Sequence, residues 1–164
     1  MINPPVYPPF FSVVSETGRR VVEVPLVDGC LPFEGMRAAL RDGARAVLLC
    51  NPQNPTGSVW SADDVRAVGE LAAKHDALFL SDEIHAPLTM PGVEHVPAAT
   101  VAENAVVLTS ATKAWNLAGL KCGLAIGPRD VLMRLPEPIH DRVGHLGILA
   151  SAAAFAEGES WLDD

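Results

Sequence analysis

The sequence predicts an α/β protein: three layers, α/β/α, built on a mostly parallel sheet and incomplete at both ends. Short apolar or β-branched runs alternate with stretches of helical periodicity, as strands joined by crossover helices require. Three of those runs pass directly into polar segments, and open α/β sheets bind ligands beyond the carboxyl ends of their strands. A chain of 164 residues, 49% hydrophobic and 20% charged, carries enough apolar mass for one core.

Taken in order, the Pro-rich opening reads as loop. Arg20–Val27 is short and β-branched, a strand. Pro32–Asp42 places Phe33, Met36, Ala39 and Leu40 at helical spacing, with Gly43 as its stop. Ala44–Cys50 (ARAVLLC) is continuously apolar, a strand covered on both faces. Ser61 caps the next helix, Asp63 and Asp64 suit the positive end of its dipole, and Val65, Val68, Leu71 and Ala72 form its apolar stripe to about His75. Ala77–Ser81 and Ala105–Thr109 are two further strands, and Leu124–Ile126 a short fourth. Beyond Pro128, residues Val131–Leu135 and Ile139–Ala156 read as helices.

Composition excludes several classes. A formal net charge of −8 argues against nucleic acid as a partner, because a phosphate backbone is held by clustered Lys and Arg. No apolar run approaches the roughly 20 residues a membrane span needs. The start, with Asn3, Pro4 and Pro5 after Met1, has neither the basic nor the apolar part of a signal peptide, so the expected location is the cytoplasm. Cys30, Cys50 and Cys122 lack metal-ligand spacing and read as small reduced core residues. No metal site is expected: His95, His140 and His145 lack ligand spacing, and Glu94 or Asp141 beside them does not supply it.

The chemistry gathers at three strand ends. Ala44–Cys50 runs into Asn51-Pro52-Gln53-Asn54-Pro55-Thr56-Gly57, Ala77–Ser81 into Asp82-Glu83-Ile84-His85, and Ala105–Thr109 into Ser110-Ala111-Thr112-Lys113. Each segment alone has an ordinary explanation: a turn, a helix cap, a solvated lysine. Their joint occurrence on successive strand ends does not.

With PVYPPF upstream and SATKAWNLAGLKCG downstream, these segments resemble the fold-type I aminotransferase superfamily of pyridoxal 5′-phosphate (PLP) enzymes, and most nearly its cystathionine β-lyase-like, carbon–sulfur lyase branch. The resemblance runs from Pro5 to about Gly127, with the motifs in the family's order and approximate spacing. It implies that Lys113 is the Schiff-base lysine and, once freed, the general base. Asp82 matches the carboxylate partner of the pyridine nitrogen, Asn54 the donor to the phenolic oxygen, and Tyr7 the ring that stacks on the cofactor. Ser110 and Lys121 match phosphate ligands, with Thr112 a further candidate. Lys121 stands where many aminotransferases carry Arg, so a bidentate fork becomes a point charge. His85 replaces the more usual Tyr, and two roles stay open for it: contact with cofactor or substrate, or satisfaction of a loop carbonyl.

Other conspicuous residues get structural readings. Trp60, Phe79 and Trp115 are packing residues, His75 closes a helix, and Gly119 and Gly123 let the chain turn tightly beneath the phosphate.

The resemblance implies β-elimination from a thiol-bearing amino acid, giving pyruvate, ammonia and a thiol. Transamination by the same residues is the alternative. Members are longer and homodimeric, so residues 1–164 are expected to be part of the large cofactor-binding domain, with a helical portion at about 128–160 leading toward a small domain. A truncated, non-catalytic fragment is the third reading. Arg129, Arg134 and Arg142 read as surface residues, so the arginine for the substrate carboxylate is expected outside this chain.

Overall fold

The computed structural model describes residues 1–136, 139 and 142–163. Its centre is a four-stranded sheet in the order β1 (Ala46–Cys50), β2 (Leu78–Asp82), β3 (Ala105–Thr109) and β4 (Leu124–Ile126). The first three strands are parallel. Val47 pairs with Phe79, and Asp82 lies between Cys50 and Leu108. β4 returns antiparallel, Leu124 opposite Thr109. The parallel register leaves Cys50, Asp82 and Thr109 at one edge of the sheet, and the polar segments at that same end.

Helices α2 (Phe33–Arg41), α3 (Ala62–Lys74) and α4 (Ala98–Val101) lie on one face. The main core forms there from Met36, Leu40, Val47, Leu49, Val65, Val68 and Phe79. Alternation turns Leu48 and Cys50 to the other face, where they join Ile2, Val6 and Phe10. Phe10 belongs to α1 (Pro9–Glu16). The predicted stripe of α3 is buried as expected, and the helix begins with a full capping box: the Asp64 N–H donates to Ser61 Oγ, and the Ser61 N–H to the Asp64 carboxylate. His75 closes α3, as predicted. Phe79 and Trp60 are core residues; Trp115 packs edge-on against Phe155 with ring centroids 5.1 Å apart and donates its indole N–H to Gly158 O.

Four expectations are corrected. The Pro-rich opening is not all loop: Pro8 and Pro9 start α1, where a missing N–H costs nothing and the fixed φ suits a helix. Arg20–Val27 is extended but forms no continuous strand. It meets the opening segment through separate bonds, from Ile2 N to Val22 O and from Val24 N to Ile2 O, because Pro4, Pro5 and Pro25 lack the donors a ladder needs. The helices after Pro128 are displaced. α5 spans Arg129–Leu132 and α6 His145–Glu157, followed by α7 (Glu159–Asp163). Gly144, in extended conformation, sets the start of α6. The part of the predicted Ile139–Ala156 helix at His140 and Asp141 lies outside the described residues. Finally, Cys50 and Cys122 are buried but Cys30 is exposed, beside the turn at Asp28 and Gly29. All three thiols are free, as read from the sequence.

No described helix is long and apolar enough to cross a membrane.

Candidate functional site

The three polar segments converge because the strands before them share one parallel register. The Asn51 N–H donates to Asp82 O (2.9 Å), and the Glu83 N–H to Leu108 O (2.8 Å), so the ladder runs past the strand ends and locks each segment to its neighbour. Asn51 itself is fully buried and turned into the structure, where its carbonyl accepts the Trp60 N–H (3.1 Å). The turn that follows presents Asn54. Gln53 N donates to Ser58 O and Gly57 N to Gln53 O, both at 2.7 Å, with Gly57 at φ +74°. The Gln53 amide also donates to Pro5 O (2.6 Å). That bond fastens the Asn54 turn to the segment carrying Tyr7.

Five of the sequence-predicted residues line one pocket of about 110 Å³: Tyr7, Asn54, Asp82, His85 and Lys113. Phe10, Cys50 and Ile84 complete its walls. Asn54 and His85 also line a neighbouring groove of about 560 Å³, otherwise bounded mainly by apolar side chains such as Val59, Leu88, Met90 and Val93. The two spaces therefore adjoin at those two residues. Lys113 is exposed, and Tyr7 is 42% exposed, so both reach the pocket from its open side.

Ser110, Thr112 and Lys121 do not line this pocket. Ser110 is buried, and its hydroxyl lies 2.5 Å from Cys122 O, 2.9 Å from Thr112 Oγ1 and 3.1 Å from Thr112 N. A carbonyl only accepts, so the Ser110 proton goes to Cys122 and Ser110 receives from Thr112. These hydroxyls staple the loop between β3 and β4. Lys121 is exposed and takes the left-handed conformation at φ +50°, as does Asn116 at φ +52°. The tight turns expected of Gly119 and Gly123 are thus made by Asn116 and Lys121, and neither glycine has positive φ.

Burial pushes the Asp82 carboxyl above its ordinary value, opposed by the Ile84 N–H at 3.2 Å and by the positive charge available at His85. Burial likewise pushes the Cys50 thiol up to about 11; the Asn54 N–H opposes this and Asp82 adds to it. Cys50 is therefore a neutral wall of the pocket, not a thiolate nucleophile.

Sequence reasoning missed Phe10 and Cys50 as pocket walls. Cys50 carried a usable signal: in a strand it shares a face with Leu48, two residues back, and it immediately precedes the Asn51 turn. Among the described residues, no group of His, Cys, Asp and Glu could hold a metal ion.

This donor set fits PLP. A desolvated carboxyl with no Lys or Arg within salt-bridge distance among the described residues suits a protonated ring nitrogen, a primary amine opens on the same pocket, and an aromatic side chain supplies a flat wall.

The family model described as aminotransferase class I and II matches residues 1–154. A cystathionine beta-lyase of Corynebacterium glutamicum is 39% identical over 168 residues, covering 98% of this chain and 45% of that protein. The structure of cystalysin from Treponema denticola, which contains pyridoxal 5′-phosphate, superposes with a TM-score of 0.88 at 30% identity, over 99% of this chain and 45% of that one. That of N-succinyldiaminopimelate aminotransferase from Mycobacterium tuberculosis superposes at 0.85, also at 30% identity, over 98% and 44%. The chain spans less than half the length of the curated relatives it matches.

Proposed function

This chain belongs to the aminotransferase class I and II family, and on that premise we propose that it is part of the large domain of a PLP-dependent carbon–sulfur β-lyase. The observation that carries the reading is the convergence of Lys113, Asp82, Asn54 and Tyr7, from four separate segments, on one pocket.

Bound there, PLP supplies an electron sink for the pair left behind when a bond at an amino acid's α-carbon breaks. The chain's own residues do the rest. The Lys113 Nζ is the amine that would hold the cofactor, and as a free amine it would take the proton from a substrate's α-carbon. Asp82 would keep a proton on the ring nitrogen, whose positive charge would offset the cost of burying its carboxylate. Asn54 donates its amide to the phenolic oxygen. Tyr7 covers one face of the ring and keeps water from it.

Ser110, Thr112 and Lys121 are the proposed phosphate ligands. Holding a dianion would require the Ser110 and Thr112 hydroxyls to turn from their present bonds, with Lys121 adding charge. His85 stands at the junction of pocket and groove, and contacts cofactor or substrate there.

For the whole protein the reaction is the cleavage of an amino acid with sulfur on its β-carbon, such as the thioether cystathionine, with water to pyruvate, ammonia and a thiol. The lyase of C. glutamicum and cystalysin support this reading. The likeness to an aminotransferase of M. tuberculosis supports the second one, in which the amino group passes to an acceptor keto acid and the substrate itself leaves as a keto acid. The working form is a cytoplasmic homodimer. The apolar side chains that α6 leaves outside, among them Leu146 and Leu149 at 70% and 53% exposed, support an assembly that covers them.

Product analysis separates the readings. With PLP, cystathionine and an acceptor keto acid such as 2-oxoglutarate, pyruvate and ammonia in equal amounts mark the lyase, and a sulfur-retaining keto acid marks the transaminase and overturns the lyase proposal.

A further inference from the structure

Glu83 has no part in the reading above, yet it is 2% exposed. Its N–H extends the β2 ladder, so its side chain follows Ser81 onto the face opposite Asp82. There Oε1 accepts the Ser81 hydroxyl (2.9 Å) and the Ala98 N–H (2.8 Å). Oε2 lies 3.6 Å from His95 Nε2, a buried nitrogen with no hydrogen-bond partner among the described residues. An apolar side chain would fill this space at no desolvation cost, so the carboxylate calls for a reason beyond packing.

The chain between supplies that reason. Residues 84–97 leave β2 at Ile84, carry His85, Leu88, Met90 and Val93 to the groove, and return at Ala98. Asp82 holds the first amide of this segment, at Ile84, and Glu83 holds the amide just beyond its end, at Ala98. Adjacent carboxylates on opposite faces of one strand end thus grip both ends of one loop.

We propose that Glu83 and His95 are a positioning pair that fixes this loop and, through the shared strand end, the carboxylate of Asp82. The proposal rests on the reading of Asp82 as the partner of the cofactor's ring nitrogen. The groups facing the pair are Ser81 from β2 and the Ala98 amide from α4; Asp82 acts on it from the opposite face of the strand end, with His85 and Cys50 beside Asp82. Burial pushes Glu83 upward, the Ala98 and Ser81 bonds and then His95 oppose this, and Asp82 pushes it further up. Asp82 thus acts on Glu83 from the opposite face of the same strand end.

The test begins without cofactor, on residues 1–164, by amide hydrogen exchange of wild type, Glu83→Ala and Glu83→Gln. Gln keeps an acceptor for Ala98, and Ala does not. In Glu83→Ala both the Ala98 and Ile84 amides should exchange about tenfold faster, and Glu83→Gln should restore them to within about threefold of wild type. Faster exchange at Ala98 with Ile84 unchanged would make Glu83 a mere anchor for α4 and overturn the proposal. Should Glu83→Ala not fold, carboxyl NMR of Asp82→Asn decides: the Glu83 titration midpoint falls if the two carboxylates are coupled, and a fixed midpoint overturns the coupling. With PLP added, Glu83→Ala should weaken binding about tenfold at equal fold content, and Glu83→Gln should rescue it. A wild-type chain that forms no adduct on Lys113 defeats the functional reading, and the exchange and titration results still decide the fate of the pair.

Discussion

Gly69 lies in the interior of α3 where that helix crosses α4, and Gly69→Ala sets two effects against each other. Alanine in a helix interior is favoured over glycine by about 1 kcal/mol. A Cβ at this site, however, would stand 2.5 Å from Ala102 Cβ and 3.2 Å from Asn104 Oδ1. Neither neighbour retreats freely. Ala102 is the C-cap of α4, and the Asn104 amide donates to Gly69 O at 3.0 Å. Overpacking of this kind costs about 1–3 kcal/mol, so the clash wins and the net loss is about 1 kcal/mol. For a chain of this size that lowers Tm by about 2–4 °C, read by far-UV circular dichroism. Adding Ala102→Gly removes the opposing Cβ, so the double variant should be more stable than the sum of the two single changes predicts, by about 1 kcal/mol. A rise in Tm for Gly69→Ala would refute the close approach of α3 and α4, and with it the placing of α4 against Glu83.

Two further outcomes follow from burial. Asp82→Asn should stabilise the cofactor-free chain at neutral pH while damaging cofactor function. The carboxyl titrates above its ordinary value of 3.8 when folded, so the folded state holds the proton longer than the unfolded one. The cost of the buried charge is therefore absent below that ordinary value and complete above the folded one. The advantage of Asn should grow with pH across that window, as thermal unfolding at several pH values will show; a constant difference would contradict it. Thiol labelling of the native chain should modify Cys30 promptly and leave Cys50 and Cys122 untouched until denaturant is added, because only Cys30 is exposed and the Cys50 thiol is pushed to about 11.

The parallel sheet was legible because its three main strands are almost purely apolar and the polar segments follow each one directly. α3 was legible to its cap, since Ser61 and Asp64 stand at capping-box spacing before a regular apolar stripe. What escaped depended on contacts distant in sequence. Arg20–Val27 has strand-like composition, but its neighbour is the proline-bearing opening segment, and no local pattern announces a partner without donors. α6 is apolar nearly all round, so periodicity could not fix its start, and Gly144 did.

The candidate site divides along the same line. Asn54, Asp82, His85 and Lys113 come together because each sits at or soon after a strand end whose register is fixed, and Tyr7 joins them through the bond from the Gln53 amide to Pro5 O. Ser110, Thr112 and Lys121 belong to the loop between β3 and β4, whose conformation rests on hydroxyl bonds to backbone and on two left-handed residues, neither of them glycine. Cys50 and Glu83 were overlooked because a thiol and a second acid at a strand end acquire meaning only from what the opposite faces touch.

The central claim is that Lys113 is the amine that holds PLP. Its most direct test is reduction of the PLP-treated chain with borohydride, followed by peptide mapping, in wild type and Lys113→Ala. The account predicts one reduced adduct, on Lys113, absent from Lys113→Ala and still formed in Asp82→Ala. An adduct on Lys121 or another amine that survives Lys113→Ala, or a folded wild-type chain that forms none, would contradict it.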